Sequence, residues 1–326
     1  MNKRRFIALL APLVLGMLAP PAVAQDSFPS KAIRIVVPYT AGGLTDVSAR
    51  LLGKELQRKL GQPIVVENKP GANQIIGAEA VARSPADGYT LYFGSLTSLV
   101  LNKFAFKTLP YDPVKDFAPV TLAMSSPLYL LVNSDRIPAK TLHEFLTIAH
   151  QNPGKYAYAS LGPGSSYHVV MEMFKQAAKL DVTHVPYKGS SQGLTALVGG
   201  EVQVMFDAGG PSFQFVKDGR LRPLAVSSDK RNPAYPDVPT LTELGFPGFE
   251  LQVWFGLLAP AGTPKPVVDK LNAALTDIIS SPAFKDQAMR SGFSASPSTP
   301  EGFASQIAND LKHWAPYFKA ANIQAQ

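Results

Sequence analysis

Two adjacent glycines, Gly42 and Gly43, lie between an apolar β-rich run at 33–39 and a helix-period segment at 46–60. Glycine lets a backbone approach a ligand closely, and the first turn of a helix presents unpaired N–H groups at the positive end of its dipole. The loop therefore predicts an anion site formed by Thr40, Ala41, Gly42, Gly43, Leu44, Thr45 and Asp46. It lacks the Lys-Ser/Thr pair of a P-loop and the third glycine of a dinucleotide fingerprint, which favours a carboxylate over phosphate or NAD. The alternative is a tight turn in which Thr45 or Asp46 only caps the helix.

Three more loops of small residues follow predicted strands at 156–160, 182–187 and 202–207, and each precedes a helical segment. Open α/β sheets bind ligands at the carboxyl ends of their strands, so we expect several of these loops to contact the same ligand. Any single one could still be only a helix cap. These loops and strand ends add the following residues to the predicted ligand-binding set: Ser95, Ser160, Gly164, Ser165, Ser166, Ser190 and Asp207.

The rest of the chain alternates between apolar β-rich runs and helix-period segments. Further strands are predicted at 64–67, 90–94, 128–133 and 221–227, and several are continuous Val/Ile/Leu runs, as in strands covered on both faces. A further helix is predicted at 167–179, and the last third of the chain is predicted to be helical at 265–280, 282–291 and 300–321. The pattern indicates an α/β protein, and its length favours two domains.

The first 24 residues have the pattern of a cleaved signal peptide. Basic residues at 3–5 precede an apolar stretch at 6–18, and an A-x-A site ends at Ala24. The apolar stretch is shorter than the roughly 20 residues that span a bilayer. The chain contains no cysteine, which excludes a lipid anchor on an N-terminal Cys. We therefore expect an exported chain that is free in an extracytoplasmic space.

The charge balance argues against a polyanionic partner. The formal net charge is +7, and three of the positive charges lie in the predicted signal peptide. The other basic residues are scattered and form no Lys/Arg tract of the kind that binds nucleic acid or an acidic membrane surface. A small anionic ligand fits this balance better, and we expect no nucleic-acid partner.

Several residues allow two interpretations. His168 and Glu172 lie one helical turn apart, a spacing that can hold a metal, but no third ligand is evident and we predict no metal site. Asp207 either faces the ligand or caps the next helix. Trp254 and Phe255 either stack on an aromatic acid or belong to the core, and they are included in the predicted ligand-binding set.

A secreted serine esterase is the enzymatic alternative. Residues 189–193, Gly-Ser-Ser-Gln-Gly, match G-x-S-x-G after a predicted strand and before a helix, the context of a nucleophile elbow. Ser191 would be the nucleophile, with Asp207 or Asp229 as the acid and His313 as the base. His313 falls within a predicted helix beside Trp314 rather than in a late loop, so we favour a protein that is not an enzyme and has no cofactor.

An ordered set of motifs resembles the Bug-type solute-binding receptors of tripartite tricarboxylate transporters. The motifs are PSKAIRIVVP at 29–38 followed by Gly42, Gly43 and Asp46, VVENKPGA at 65–72, ADGYTL at 86–91, GSSYH at 164–168, VPYKG at 185–189, VMFD at 204–207, LAVSS at 224–228 and WFGLLAP at 254–260. Together they cover essentially the whole mature chain.

The resemblance implies a periplasmic binding protein of the two-lobed, type II-like kind, with each lobe a sheet flanked by helices and two crossing hinge strands. We expect one lobe at 25–124 and 228–326 and the other at 125–227. The family holds a ligand carboxylate with its first loop, here 40–46, opposite Ser165 and Ser166. Leu44 stands where the family often has Gly or Pro. The implied partners are a small carboxylate and the integral-membrane permease subunits, with the receptor a monomer. The alternative from a third class of function is a solute-sensing receptor that acts in signalling.

Overall fold

The computed structural model describes residues 28–233, 235–249 and 251–320, so the predicted signal peptide lies outside the described residues. The strands in chain order are β1 (Ile33–Val37), β2 (Ile64–Asn68), β3 (Thr90–Ser95), β4 (Phe117–Pro127), β5 (Tyr129–Asn133), β6 (Ala157–Ser160), β7 (Thr183–Pro186), β8 (Val204–Asp207), β9 (Leu221–Val226), β10 (Gln252–Pro260) and β11 (Ser294–Ala295).

The helices in chain order are α1 (Leu44–Leu60), α2 (Ile75–Ala82), α3 (Asn102–Ala105), α4 (Leu142–Gln151), α5 (Ser166–Ala178), α6 (Ser190–Gly199), α7 (Ser212–Lys217), α8 (Lys265–Ser280), α9 (Pro282–Arg290) and α10 (Pro300–Ala320). A 3-10 turn, Ala72–Gln74, precedes α2, and a π-helical turn, Thr97–Leu101, precedes α3. None of the helices in the described ranges is long and apolar enough to cross a bilayer.

The strands form two separate sheets. The first has the order β11-β4-β10-β3-β1-β2, with β1 parallel to both of its neighbours and β10 antiparallel to β3 and β4. The second has the order β7-β6-β8-β5-β9, with β6 parallel to β7 and β8 and with β5 antiparallel to β8 and β9. Each sheet is covered by helices, which supports the prediction of an α/β protein.

The chain passes between the sheets twice, and the two crossings are bonded to each other. The amide of Leu128, between β4 and β5, donates to Ser227 Oγ at 2.8 Å, and the amide of Ser227 donates to the Leu128 carbonyl at 2.8 Å. The Ser227 hydroxyl also donates to the carbonyl of Leu251, just before β10, at 2.7 Å. The predicted lobe boundary at 124/125 falls inside β4, and the boundary at 227/228 falls at this bonded crossing.

The local sequence explains why α1 starts and ends where it does. Its buried side chains include Ala49, Leu52 and Leu56, which recur at helical spacing and pack on the first sheet. The helix begins directly after Gly43 and ends at Gly61, whose φ of 70° is the left-handed conformation that glycine adopts without cost. The strand β1 thus leads through residues 38–43 into the helix, which begins two residues before the predicted start at 46.

Candidate functional site

The first turns of α1 and α6 face each other across the space between the two sheets. Each helix has a glycine at its N-cap position, Gly43 and Gly189, and neither cap residue makes a side-chain hydrogen bond. A Cβ added at Gly43 would lie 3.8 Å from the Ser190 Cβ, so the two helix starts are in contact. First-turn amides have no partner within their own helix, so two sets of N–H donors and two positive dipole ends converge on one place.

Polar contacts join the lobes on both sides of this place. Thr40 Oγ1 lies 2.8 Å from Ser191 Oγ. At the start of α5, the amide of Ser166 donates to Thr97 Oγ1 at 3.2 Å. Leu44 also approaches the second lobe, because a Cβ added at Gly210 would lie 3.0 Å from Leu44 Cδ1. The structure therefore has the cleft between the lobes closed.

A cavity of about 220 Å³ lies in the closed cleft. Its walls come from both lobes: Pro38 and Tyr39 with 71–74 on one side, and 161–163 with 186–188 on the other. Lys188 is the only charged side chain among the described residues that line the cavity. The other lining residues combine Pro, Leu and Tyr side chains and loop backbone, which suit the carbon chain of a small ligand, with the amide residues Asn73 and Gln74.

The cavity wall includes a strained segment that sequence analysis did not place in the site. Three consecutive residues other than glycine have positive φ: Ala72 at 44°, Asn73 at 48° and Gln74 at 75°. Such a run costs free energy at each residue and clusters at ligand sites. Asn102 holds it in place, since its Nδ2 donates to the Asn73 carbonyl at 2.9 Å and its Oδ1 accepts from Asn73 Nδ2 at 2.7 Å.

We expect Ala72→Gly to raise the free energy of unfolding by about 1 kcal/mol, because glycine adopts a φ of 44° without the steric cost that a Cβ imposes. Ala72 is exposed, so the lost methyl removes little packing. The measurement is urea unfolding, with Ala80→Gly inside α2 as the matched control, which we expect to be destabilising. Destabilisation by both variants to the same extent would contradict strain at Ala72.

Asp46 supports the first loop rather than facing the cleft. Its carboxylate accepts from the Gly42 amide at 3.0 Å, from Arg50 Nε at 3.1 Å and from Asn68 Nδ2 at 2.9 Å. Burial alone would raise its pKa, but the hydrogen bonds from Arg50, Gly42 and Asn68 outweigh burial and hold the pKa below its ordinary value. The neighbouring Thr45 is buried, whereas Ala41 and Gly42 are exposed at the tip of the loop.

Asp207 lies at the end of β8, beneath the first turn of α6. Ser190 Oγ donates to its Oδ1 at 2.5 Å, and Oδ2 accepts no well-formed hydrogen bond within the described ranges, although Ser212 lies near it. Burial raises the pKa of Asp207 above its ordinary 3.8, and the hydrogen bonds from Ser190 and its other neighbours only partly oppose this. Asp207 is a buried carboxyl that positions Ser190 at the helix start.

We expect Asp207→Asn to be more stable than the wild type at neutral pH. Because the folded chain holds the Asp207 proton more tightly than the unfolded chain, stability is lost as pH rises from 3.8 through the raised folded pKa, and it stays lower above that value. The variant lacks this loss, so its advantage should disappear below pH 3.8. Urea unfolding across this pH range measures the difference. A variant less stable than wild type at neutral pH would show that hydrogen bonding to the carboxylate outweighs burial.

Three predicted site serines, Ser165, Ser95 and Ser160, make different contacts in the structure. Ser165 is the N-cap of α5, where its Oγ accepts from the His168 amide at 3.3 Å. Ser95 Oγ donates to Gln74 Oε1 at 2.7 Å, which ties β3 to the strained segment. Ser160 Oγ lies 2.6 Å from His184 Nε2, behind the loop that contains Gly164. These serines therefore shape the loops from behind or cap a helix.

Trp254 and Phe255 point to opposite faces of β10, as successive strand residues must. The Trp254 indole Nε1 donates to Asp310 Oδ2 at 2.6 Å, and its ring packs edge-on against Phe303 of α10. Phe255 is buried, 6.3 Å from the Tyr39 ring between centroids. Trp254 therefore belongs to the contact with α10, and Phe255 supports the wall residue Tyr39 from the core.

The structure does not bring the groups named for a serine esterase together, because Asp229 and His313 line a cavity beside Trp254 that does not include Ser191 or Asp207. Ser191 Oγ is paired with Thr40, and Asp207 Oδ1 accepts from Ser190. His313 lies in α10 with its ring 5.6 Å from that of Trp314. Within the described ranges, no group of three or more His, Cys, Asp or Glu side chains could hold a metal ion, and Glu172 is bonded to Tyr158 and Lys175.

Known proteins share this architecture. A family model described as "Tripartite tricarboxylate transporter family receptor" matches residues 48–323. The "UPF0065 protein in tcbD-tcbE intergenic region" of Pseudomonas sp. (strain P51) is 37% identical over 309 residues, 94% of this chain and 91% of that protein. Protein BugT of Bordetella pertussis is 33% identical over 318 residues, 97% of each chain.

Two similar solved structures contain ligands. Rpa4515 of Rhodopseudomonas palustris, solved with adipate, is 33% identical with a TM-score of 0.89, covering 92% of this chain and 100% of that one. MatC (Rpa3494) from the same organism, solved with bound malate, is 34% identical with a TM-score of 0.84, covering 89% of this chain and 99% of that one. These likenesses confirm the predicted two-lobed fold.

Proposed function

The chain belongs to the receptor family of the tripartite tricarboxylate transporters, and from this premise we propose that its cleft captures a small organic carboxylate and presents it to a membrane permease. Membership confirms the resemblance found in the sequence motifs. The receptor would deliver its ligand in the closed form, because a ligand that contacts both lobes stabilises closure by those contacts.

The observation that carries the proposal is the convergence of two helix starts without side-chain caps. The first-turn amides of α1 and α6 provide a site in which an anion would gain from hydrogen bonds and from two positive dipole ends. Each amide that bonds a charged oxygen contributes roughly 1.5 to 3 kcal/mol before desolvation. Two or three such bonds suffice for micromolar affinity, which is about 8 kcal/mol.

A short acid is supported by the size and walls of the cavity, which lies beside the helix starts and is not lined by their first-turn residues. A volume of about 220 Å³ holds roughly seven waters at about 30 Å³ each, which is the scale of a four- to six-carbon acid. Lys188 on the wall offers a counter-charge to a second carboxylate. The adipate and malate found with two relatives have this size and charge. We therefore propose a dicarboxylate as the ligand class.

The proposed location, oligomeric state and partner follow from the same family membership. We propose export to the periplasm with cleavage after Ala24, a monomeric receptor, and permease subunits in the membrane as the partner. The lobes would be 25–124 with 228–326, and 125–227, moving about the bonded crossing at Leu128 and Ser227. Neither a cofactor nor catalysis is part of this proposal.

A thermal-shift screen of mono-, di- and tricarboxylates tests the ligand class. A ligand at 100 times its dissociation constant adds about 2.7 kcal/mol to the free energy of unfolding, which raises the melting temperature clearly. Adipate should stabilise the protein, and the uncharged adipamide, of nearly the same shape, should not. Equal stabilisation by the two would contradict recognition of the carboxylate, and flat curves with every acid would contradict the proposed function.

A further inference from the structure

Two histidines lie directly behind the second-lobe loop 161–165 that faces the cleft. The amide of Gly164 donates to His168 Nδ1 at 3.2 Å, which makes this nitrogen an acceptor and the imidazole neutral. The amide of Gly162 donates to Ser160 Oγ at 3.1 Å, and that oxygen lies 2.6 Å from His184 Nε2. The two buried glycines of the loop are thus held by imidazoles, Gly164 directly by His168 and Gly162 through the Ser160 hydroxyl that contacts His184.

The loop held in this way contacts the first lobe. Gly164 has a φ of 77°, and a Cβ added there would overlap Ala105 at the end of α3. Gly162 lies against Asn73, since a Cβ added there would be 3.7 Å from Asn73 Oδ1. A shift of the loop would therefore disturb both the cavity wall and the contact that closes the cleft.

We propose that His168 is a positioning residue of the ligand-binding loop that works only as a neutral imidazole, so that acid loosens the loop and weakens ligand binding. The proposal rests on the proposed function of the cleft. Protonated Nδ1 would turn a second N–H toward the Gly164 N–H, and two donors cannot share a hydrogen bond. His168 also lies in the first turn of α5, where the helix dipole disfavours a cation.

The titratable and charged groups that face the pair are Tyr158, Glu172 and Lys175. The His168 and His184 rings are 4.4 Å apart between centroids, and His184 stacks on Tyr158 at 4.9 Å. Glu172 favours a cation, but its Oε1 already accepts from Tyr158 and, at 2.9 Å, from Lys175. Lys175 disfavours a cation, as does each imidazole for the other when charged.

Together, burial and the neighbouring charges favour the neutral form of both imidazole rings. Burial, opposed by Glu172 and reinforced by Lys175, lowers the pKa of His168 below its ordinary 6.5. Burial, followed by the neighbouring His168, lowers the pKa of His184 to about 4. The neutral arrangement in the folded protein is therefore still present at pH 6.5 and is lost as pH falls through the lowered pKa values.

Two nearly isosteric substitutions separate positioning from packing. In His168→Asn, Oδ1 takes the place of Nδ1 as an acceptor that does not titrate, whereas His168→Leu has no acceptor. At about pH 7.5, where His168 is neutral, we expect His168→Asn to bind adipate as wild type does, and His168→Leu to bind about fivefold or more weakly, the equivalent of one net hydrogen bond. His143→Asn is the control, because His143 is exposed on α4.

The pH dependence of adipate binding distinguishes a positioning residue from a merely structural one, whose substitution would not change that dependence. Calorimetric titration with adipate follows the dissociation constants down to about pH 4, because the pKa of His168 lies below 6.5 and that of His184 is about 4. Adipate's own protonation affects all variants equally. We expect the ratio of the wild-type constant to the His168→Asn constant to rise as pH falls, by at most about tenfold per pH unit for one proton. The wild type and His143→Asn should keep the same profile.

A ratio of dissociation constants that does not change with pH overturns the proposal. So does a ratio that falls in acid, because a cationic His168 would then attract the ligand. Equal binding by His168→Leu and His168→Asn overturns it as well. If no variant binds any carboxylate, the proposed function of the cleft fails instead. Hydrogen exchange of the Gly164 amide then decides the positioning role without ligand. Faster exchange in His168→Leu than in His168→Asn supports it, and equal rates contradict it.

Discussion

Gly189→Ala is expected to weaken carboxylate binding by about 5- to 150-fold while both lobes remain folded. In the closed cleft, a Cβ at Gly189 would overlap Thr40 Oγ1 of the opposite lobe. The φ of Gly189 is −178°, an extended conformation open to alanine, so the substitution strains neither the second lobe nor the start of α6. The cost, about 1 to 3 kcal/mol for an inserted methyl, applies only to the closed form.

Gly199→Ala is the matched control for Gly189→Ala. Gly199 is the last residue of α6, and a Cβ added there meets nothing within 4 Å. Calorimetry with adipate should show wild-type affinity for this variant, and urea unfolding should show little change for Gly189→Ala. Small-angle scattering with adipate would report whether Gly189→Ala still closes. Wild-type affinity in Gly189→Ala would mean that ligand binding does not need the closed contact between Gly189 and Thr40.

Closure in this protein depends on backbone approach more than on charge. Hydroxyl pairs at Thr40 with Ser191 and at Thr97 with Ser166 join the lobes, and each lies next to a helix start. Hydroxyl contacts of this kind are individually weak, about 1 kcal/mol net. We expect an empty cleft, whose hydrogen bonds between lobes are of this weak kind, to open readily, so that the additional bonds of a ligand decide the equilibrium. We therefore expect residues that set the distance between backbones to control affinity.

The sequence predicted the backbone features of the site better than its side chains. Gly42 and Gly43 before α1, and Gly189 before α6, are local signals of a loop followed by a helix start, and the structure has these elements there. The direction of a side chain depends on distant partners. Asp46 turns to Asn68, 22 residues away, and Trp254 turns to Asp310, 56 residues away in the chain. No local pattern contains that information.

Two parts of the fold were missed for identifiable reasons. The long strands β4 and β10 were not found by periodicity, because β4 contains proline and serine and the pairing of the two strands shifts register near Gly256 and Leu258. Such irregularities break the alternation that identifies a strand. The left-handed segment at 72–74 has few sequence signals beyond Asn73. Asn73 is a signal because Asn is one of the few residues that tolerate this conformation.

Asn102→Leu is expected to have a large effect on both stability and binding. Asn102 is fully buried and makes two hydrogen bonds to Asn73 and a third, at 3.3 Å, to the Tyr111 hydroxyl. Leucine has a similar volume but removes the partner of the Asn73 carbonyl and of Asn73 Nδ2, at about 1 to 3 kcal/mol each where no relaxation occurs. We expect the free energy of unfolding to fall by about 2 to 4 kcal/mol, measured by urea unfolding.

The same variant should weaken adipate binding by about tenfold or more. Once released from Asn102, the segment at 72–74 can relax from its positive φ values, and the ligand must then restore a conformation that costs of order 1 to 3 kcal/mol per residue. Tyr111→Phe is the control, because it removes one partner of Asn102 and keeps both bonds to Asn73. It should lose stability but keep its affinity. Equal losses of affinity in the two variants would show that binding follows general stability rather than the strained wall of the cavity.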